Sequence, residues 1–278
     1  LNTQNSDHTL IRIFFVGDVI GAPGRKILKK NIATLKKNLN IDFVIANIEN
    51  LADGFGITDK TLKELEDTGA FDGFTSGNHI WDKKEAEKFI DNYPNIIRPL
   101  NYPPAAPGHT TLYLEKSGSK ILFINLLGRA LMKDCVDCPF TTVDKFLKNI
   151  DSESKIVIVD FHAEATSEKQ ALGFFLDGKV AAVIGTHTHV QTADEKILPL
   201  GTAYISDAGM TGNIDSVIGF HEKNVIDKFL TQMPRKFEIK DNGTREIQGV
   251  LLTIDHSTSK TLTIERIKFR ENNYIDPQ

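Results

Sequence analysis

Residues 155–189 read KIVIVDFHAEATSEKQALGFFLDGKVAAVIGTHTH. Two apolar, β-branched runs, Lys155–Val159 and Val180–Ile184, flank Ser167–Leu176, where apolar residues recur at helical spacing. Strand, helix, strand in that order is the repeating unit of a parallel sheet with helices outside it. Histidine follows each run within a few residues: His162 after the first, His187 and His189 after the second. In open α/β sheets ligands bind beyond the carboxyl ends of the strands. The segment therefore indicates both the fold class and where its chemistry should lie.

The same alternation runs outward in both directions. Ile11–Val16, Phe43–Ala46, Phe71–Thr75 and Ile121–Leu126 read as strands upstream, and Thr202–Ser206 downstream. Arg25–Leu39, Asp59–Thr68 and Trp81–Asn92 have helical spacing, with Thr58 or Asp59 as a cap and Gly69 as a stop. Gly249–Asp255 and Thr261–Phe269 read as an antiparallel pair. With no repeat or long linker, a single α/β domain over residues 11–278 is expected, behind a mobile terminus at 1–10.

The chain has 278 residues, 40% of them hydrophobic and 25% charged, enough for a sizeable core without disulfides. A net charge of −4 gives no basic field for a long nucleic acid. No run approaches the roughly 20 apolar residues that span a bilayer. Residues 1–9 are polar, unlike an export signal, so a cytoplasmic protein without a membrane partner is expected. Cys135 and Cys138 form a lone C-x-x-C in a loop-like setting and read as reduced, incidental thiols. Gly21–Arg25 lacks the residues of a P-loop or a dinucleotide fingerprint and reads as a turn into the first long helix.

The other strand ends carry polar groups too. Asp18 follows the first strand through Gly17; Glu49 and Asn50 follow the second; Asn78 and His79 follow the third. Each has an ordinary explanation alone, as a helix cap, a turn former or a hydrogen-bonded histidine. Those explanations share no cause, whereas a metal site accounts for all of them together. An extended backbone at 187–189 would turn both imidazoles to one side. Two carboxylates, two amide oxygens and three imidazoles, with no thiolate, suit manganese, iron or zinc. Seven candidates exceed what one open ion needs, and Glu49 is the natural bridge between two.

The stretches GDVIGAPGR (17–25), NIENLADGFGIT (47–58), TSGNHIWDKKE (75–85), residues 160–194 and GTAYISDAGMTG (201–212) resemble the calcineurin-like metallophosphoesterases. Within them the resemblance is to the bacterial YmdB-like branch, 2′,3′-cyclic nucleotide phosphodiesterases. It implies central β-sheets flanked by helices and two divalent or mixed-valence ions, iron or manganese ahead of zinc or magnesium. Asp18, Glu49, Asn50 and His189 would hold one ion; Glu49, Asn78, His162 and His187 the other. His79 would be the catalytic, non-ligand histidine. The superfamily's usual Asp-x-His has Ile20 in place of the histidine, its bridging aspartate is Glu49 here, and Ile80 replaces the acidic residue after Asn-His.

The expected reaction is hydrolysis of a small phosphodiester or nucleotide by in-line attack of a metal-bound hydroxide, with His79 protonating the leaving oxygen. His79 as an orienter of Asn78 is the plainer alternative. A phosphomonoesterase on the same site and a metal-binding regulator with little turnover are the rival functions, and a homo-oligomer is left open. A barrel amidohydrolase would carry its His-x-His on the first strand, not near residue 188. His8, His109, His221 and His256 fall outside the motifs. Trp81 and Phe55 fit a core as well as a base-stacking face.

Overall fold

The computed structural model describes residues 10–116, 118–150, 156–271 and 274–275. The terminus expected to be mobile thus lies, up to residue 9, outside the described residues, as does Lys155 at the start of its strand.

The expected parallel sheet is two sheets, each with a parallel centre and antiparallel margins. In the first, β1 (Leu10–Val16), β3 (Phe43–Asn47) and β4 (Gly73–Thr75) run parallel. On the other side of β1 lie β12 (Arg245–Asp255), β13 (Lys260–Arg270) and β14 (Tyr274–Ile275), all antiparallel to their neighbours. β2 (Asp18–Val19) and β11 (Met210–Asn213) complete this sheet. In the second, β6 (Ser119–Leu127), β7 (Ile156–His162), β8 (Ala182–Thr186) and β10 (Ala203–Ile205) are parallel. Antiparallel β5 (Thr111–Lys116) and β9 (Lys196–Ile197) edge it.

The sheets pack face to face with helices outside. Along β1, Ile11, Ile13 and Phe15 point inward to Phe123, Ile158 and Ile184 of the second sheet. Phe14 and Val16 point outward to α1 (Gly21–Asn38) and α2 (Asp59–Glu66), meeting Ile27, Leu28, Ile32 and Leu62. Period-two alternation between two buried faces is why these strands read as continuous apolar runs. Val157, Val159 and Phe161 of β7 likewise meet Val143 of α4 (Pro139–Asn149) and Leu172 of α5 (Thr166–Phe175). Each fully buried side chain of this kind contributes roughly 1.5–3 kcal/mol.

Some boundaries differ from the sequence reading. α1 starts at Gly21, whose φ of 53° makes the turn, rather than near Arg25. The helix expected over Trp81–Asn92 shrinks to α3 (Ala86–Phe89) and a 3₁₀ turn at Ile90–Asn92. Just before the expected span, the His79 backbone donates to Glu49 Oε2 at 2.9 Å, and residues 81–85 form turns and bends. The antiparallel pair near the C-terminus forms as expected, whereas β5, α4 and α6 (Glu222–Thr231) were not foreseen. Thr58 caps α2 through a reciprocal capping box with Thr61. Cys135 and Cys138 are free thiols, Cys138 preceding α4. Among the described residues, no helix is long and apolar enough to cross a membrane.

The carboxyl ends of both parallel centres meet at one rim. Asn47 at the end of β3 donates to Asp160 of β7 at 3.0 Å, joining the two sheets there.

Candidate metal centre

All seven expected ligands and His79 gather at this rim. Asp18 opens β2, Glu49 and Asn50 leave β3, Asn78 and His79 leave β4, His162 ends β7, and His187 and His189 follow β8. Asp18, Glu49, Asn50 and His162 are almost wholly buried. Ligand atoms of Glu49, His162 and His187 lie within 4.8 Å of one another, as do those of Asp18, Glu49 and His189. The two groups share Glu49.

Their hydrogen bonds leave the inward atoms without donors. Asp18 Oδ2 accepts the His187 backbone N–H at 3.2 Å, but Oδ1 is buried with no partner. Asn50 spends its amide N–H on the Gly54 carbonyl at 2.8 Å, leaving Oδ1 unpaired, and Asn78 Oδ1 is unpaired too. Glu49 Oε2 accepts from His79, while Oε1 faces His162 Nε2 at 3.1 Å without a well-formed hydrogen bond. Four buried oxygens without a donor are costly in a protein interior. A cation is the partner that suits them.

The histidines are turned to match. Thr186 donates its hydroxyl to Asp160 at 2.7 Å, so at its 2.9 Å contact with His162 the imidazole Nδ1–H is the donor. That turns His162 Nε2 toward Glu49, the arrangement by which a second contact fixes the orientation of a ligand's ring. His189 Nδ1 donates to the Ile218 carbonyl at 3.1 Å, freeing Nε2 toward Asp18. His187 Nε2 faces Glu164 at 3.1 Å, and its Nδ1 meets His162 Nε2 at 3.0 Å.

The electrostatics show how tightly the groups are coupled. Burial pushes Asp18 well above the usual carboxylate range. Burial would raise Glu49 too, but His162 beside it outweighs that and holds the carboxyl at about 2. His162 is pulled down by burial and up, to about 9, by Glu49, Asp18 and Asp160. Burial, then the charge on His162, brings His187 down to about 3.

The expectation of an extended 187–189 backbone is corrected. His187 and His189 have φ of 102° and 64°, and their rings part company toward the two groups. Such strain in non-glycine residues needs support. Asp207 supplies it, accepting the Thr188 N–H at 3.0 Å and the Thr188 hydroxyl at 2.8 Å. Lys169 of α5 donates to Asp207 at 2.9 Å and to the Thr186 carbonyl at 2.7 Å.

His79 lies beside the cluster. Its Nδ1 meets Asp82 at 2.7 Å, which leaves Nε2 free, and its ring stands edge-on to Phe55 at 5.0 Å. Phe55 stacks in turn on Phe220, while Trp81 packs against the core and Tyr102. Gly77 lets the β4 loop approach, since a Cβ there would run into Glu49 Oε2 and the His162 ring. Arg25 points away, held by Glu64 at 3.0 Å and by the Leu51 carbonyl. His109 and His221 stand apart from both groups, near Asp91 and at the start of α6.

A family model for YmdB-like protein matches residues 14–267, nearly the whole chain. The chain belongs to the YmdB-like family. A 2′,3′-cyclic-nucleotide 2′-phosphodiesterase of Bacillus subtilis is 44% identical to this YmdB-like chain, covering 95% of it and 98% of the relative. A solved structure described as a novel phosphatase of Mycoplasma pneumoniae superposes with a TM-score of 0.88 at 35% identity, covering 96% of this chain and 95% of that one. A hypothetical protein of Thermus thermophilus also gives 0.88, at 37% identity, over 94% of this chain and all of the other. The two flanked sheets of the YmdB-like chain are thus the metallophosphoesterase-type architecture that the resemblance implies, and that type implies divalent metal.

Proposed function

We propose that the chain is a metal-dependent phosphoesterase that hydrolyses small phosphodiesters, foremost 2′,3′-cyclic nucleotides, at a site for two cations. The observation that carries the reading is the pair of ligand groups sharing Glu49, with Asp18 and Glu49 each keeping a buried oxygen without a donor. Asp18, Glu49, Asn50 and His189 would hold one cation; Glu49, Asn78, His162 and His187 the other, with iron or manganese suiting this mix of oxygen and imidazole. When bound, the pair would supply positive charge against a phosphate and acidify water toward a pKa near ~7. The relative of known activity acts on the same substrate class.

The chain's own groups do the rest. Asp82 orients His79 through Nδ1, so that Nε2 can present a proton to the departing ester oxygen. General-acid help of this kind is typically worth ~10²–10⁴-fold. The His79 backbone N–H meanwhile holds Glu49, tying the acid's position to the ligand cluster.

The test is turnover of 2′,3′-cyclic AMP and of a phosphomonoester by purified protein loaded with iron or manganese, alongside Glu49→Gln. Cyclic-nucleotide hydrolysis that disappears together with metal content in Glu49→Gln is expected. Preference for the monoester would favour a phosphatase, and full turnover with full metal in Glu49→Gln would refute the shared-ligand site. For His79→Ala, loss should be greater with an alkoxide leaving group than with nitrophenolate, which departs without a proton.

A further inference from the structure

A cavity of about 400 Å³ opens beside the candidate centre. One wall is the centre itself: Asn78, His79, Asp82 and His187. The rest of its lining is Leu131, Met132, Lys133 and Asp134, from the segment between β6 and α4. That segment contributes none of the candidate ligands, yet it is built onto the strand that carries one.

Its start is welded to β7 and α5. The Gly128 N–H donates to the His162 carbonyl at 2.9 Å, and a Cβ at Gly128 would strike Ala163 and Glu168. Arg129 and Ala130 then donate their backbone N–H groups to the Glu168 carboxylate, each at 3.0 Å. At the far end Asn101 bonds the Asp137 carbonyl at 2.9 Å, and the Tyr102 hydroxyl donates to Asp134 at 2.9 Å. The wall is therefore held in fixed relation to His162 and His187.

Leu131 is the anomaly in it. It is 83% exposed and has φ of 65°. A branched aliphatic residue in the left-handed region is strained, and an exposed one recovers nothing by packing. Neither folding nor turn geometry calls for leucine there. Met132 beside it is half-buried, and Lys133 is exposed with no ion pair to another described residue.

We infer that this cavity is the subsite for the nucleoside of a cyclic nucleotide, which carries the departing ring oxygen while its other oxygen stays joined to phosphorus, its base lying against Leu131 and Met132 with Lys133 at the base's polar edge. The inference rests on the proposed function. His79 forms the cavity wall and its free Nε2 serves the departing oxygen, so whatever that oxygen carries lies on the His79 side. A nucleobase has apolar faces and a polar rim, matching two apolar side chains bordered by a cation. Pockets of this volume and mixed lining suit ligands of nucleoside size.

The test is calorimetric titration of the metal-loaded protein with adenosine 3′-phosphate and with inorganic phosphate, which requires no turnover. Wild-type protein should bind the nucleotide more tightly than phosphate. Leu131→Asn, which keeps a residue tolerant of the left-handed backbone while removing the apolar wall, should weaken nucleotide binding on the order of tenfold, through lost apolar burial, and leave phosphate binding unchanged. Met132→Ala should act in the same direction. Equal binding of the two ligands by wild-type protein, equal losses for both, or no loss for either would overturn the subsite. Absence of cyclic-nucleotide turnover in a wild type that still prefers the nucleotide would strike the proposed reaction and leave the subsite standing.

Discussion

Lys169 places its ammonium 2.9 Å from Asp207, with both side chains almost wholly withdrawn from water. Asp207 passes that fixity to Thr188, the residue between His187 and His189. Lys169→Met would leave Asp207 buried and uncompensated, a loss of about 3–5 kcal/mol in denaturant unfolding. Slackening the turn should also weaken metal binding by about 10–100-fold in competition with a chromogenic chelator. Unchanged metal affinity in a folded Lys169→Met protein would separate this ion pair from the two histidines.

Gly77 is the place where a single methyl group should do most harm to the centre. Gly77→Ala brings a Cβ against Glu49 and His162. Crowding of this kind costs about 1–3 kcal/mol of stability. Metal content after purification should fall further than the stability loss alone would require, because both displaced groups are candidate ligands. Metal analysis together with thermal unfolding checks this.

Metal should hold the fold together as well as serve chemistry. Without it the buried carboxylates and imidazoles of the centre face one another unrelieved. A cation at a hundred times its dissociation constant stabilises the native state by about 2.7 kcal/mol. Chelated protein should therefore melt lower, and adding manganese or iron should restore the transition. Glu49→Gln should show little response to added metal.

At alkaline pH the tyrosines should dominate stability. The Asp59 hydrogen bond, with burial adding to it, lifts Tyr93 to about 12; burial lifts Tyr204 likewise to about 12. Both lie above the ordinary phenol value near ~10. Between those pH values the unfolded chain releases its phenolic protons first, so stability falls as pH rises through the window. The slope for each group is at most about 1.4 kcal/mol per pH unit. In chelated protein, Tyr204→Phe should flatten the decline between pH 10 and 12, and an unaltered slope would exclude this tyrosine as its source.

Much of this was legible in the sequence because the informative strands are buried on both faces, which gives them continuous apolar runs with abrupt polar ends. Asp18, Glu49, Asn50, Asn78, His162, His187 and His189 stand at or just beyond such ends, and Asp18, Glu49, His162, His187 and His189 come together in two groups. Two sheets could not be read from one alternation of strands and helices, since strand pairing joins residues far apart in the chain. The backbone turn at His187 and His189 was hidden too, because no glycine marks it. Asp207 could have been found: it follows the strand Thr202–Ser206 much as His162 follows its own. Lys169 could not, for a lysine on a helix ordinarily faces water, and only the folded position of Asp207 brings it inside.

β1, nearly the first described segment, pairs along its whole length with β12, from Leu10 against Asp255 to Val16 against Gly249. On the ribosome β1 must wait, one edge bare, until β12 has also been synthesised. Translation stopping short of β12 would release chains that already contain every residue of the candidate centre but lack the strand that shields β1. Such fragments should depend on chaperones and be cleared by proteolysis, making the emergence of β12 a checkpoint for a working molecule.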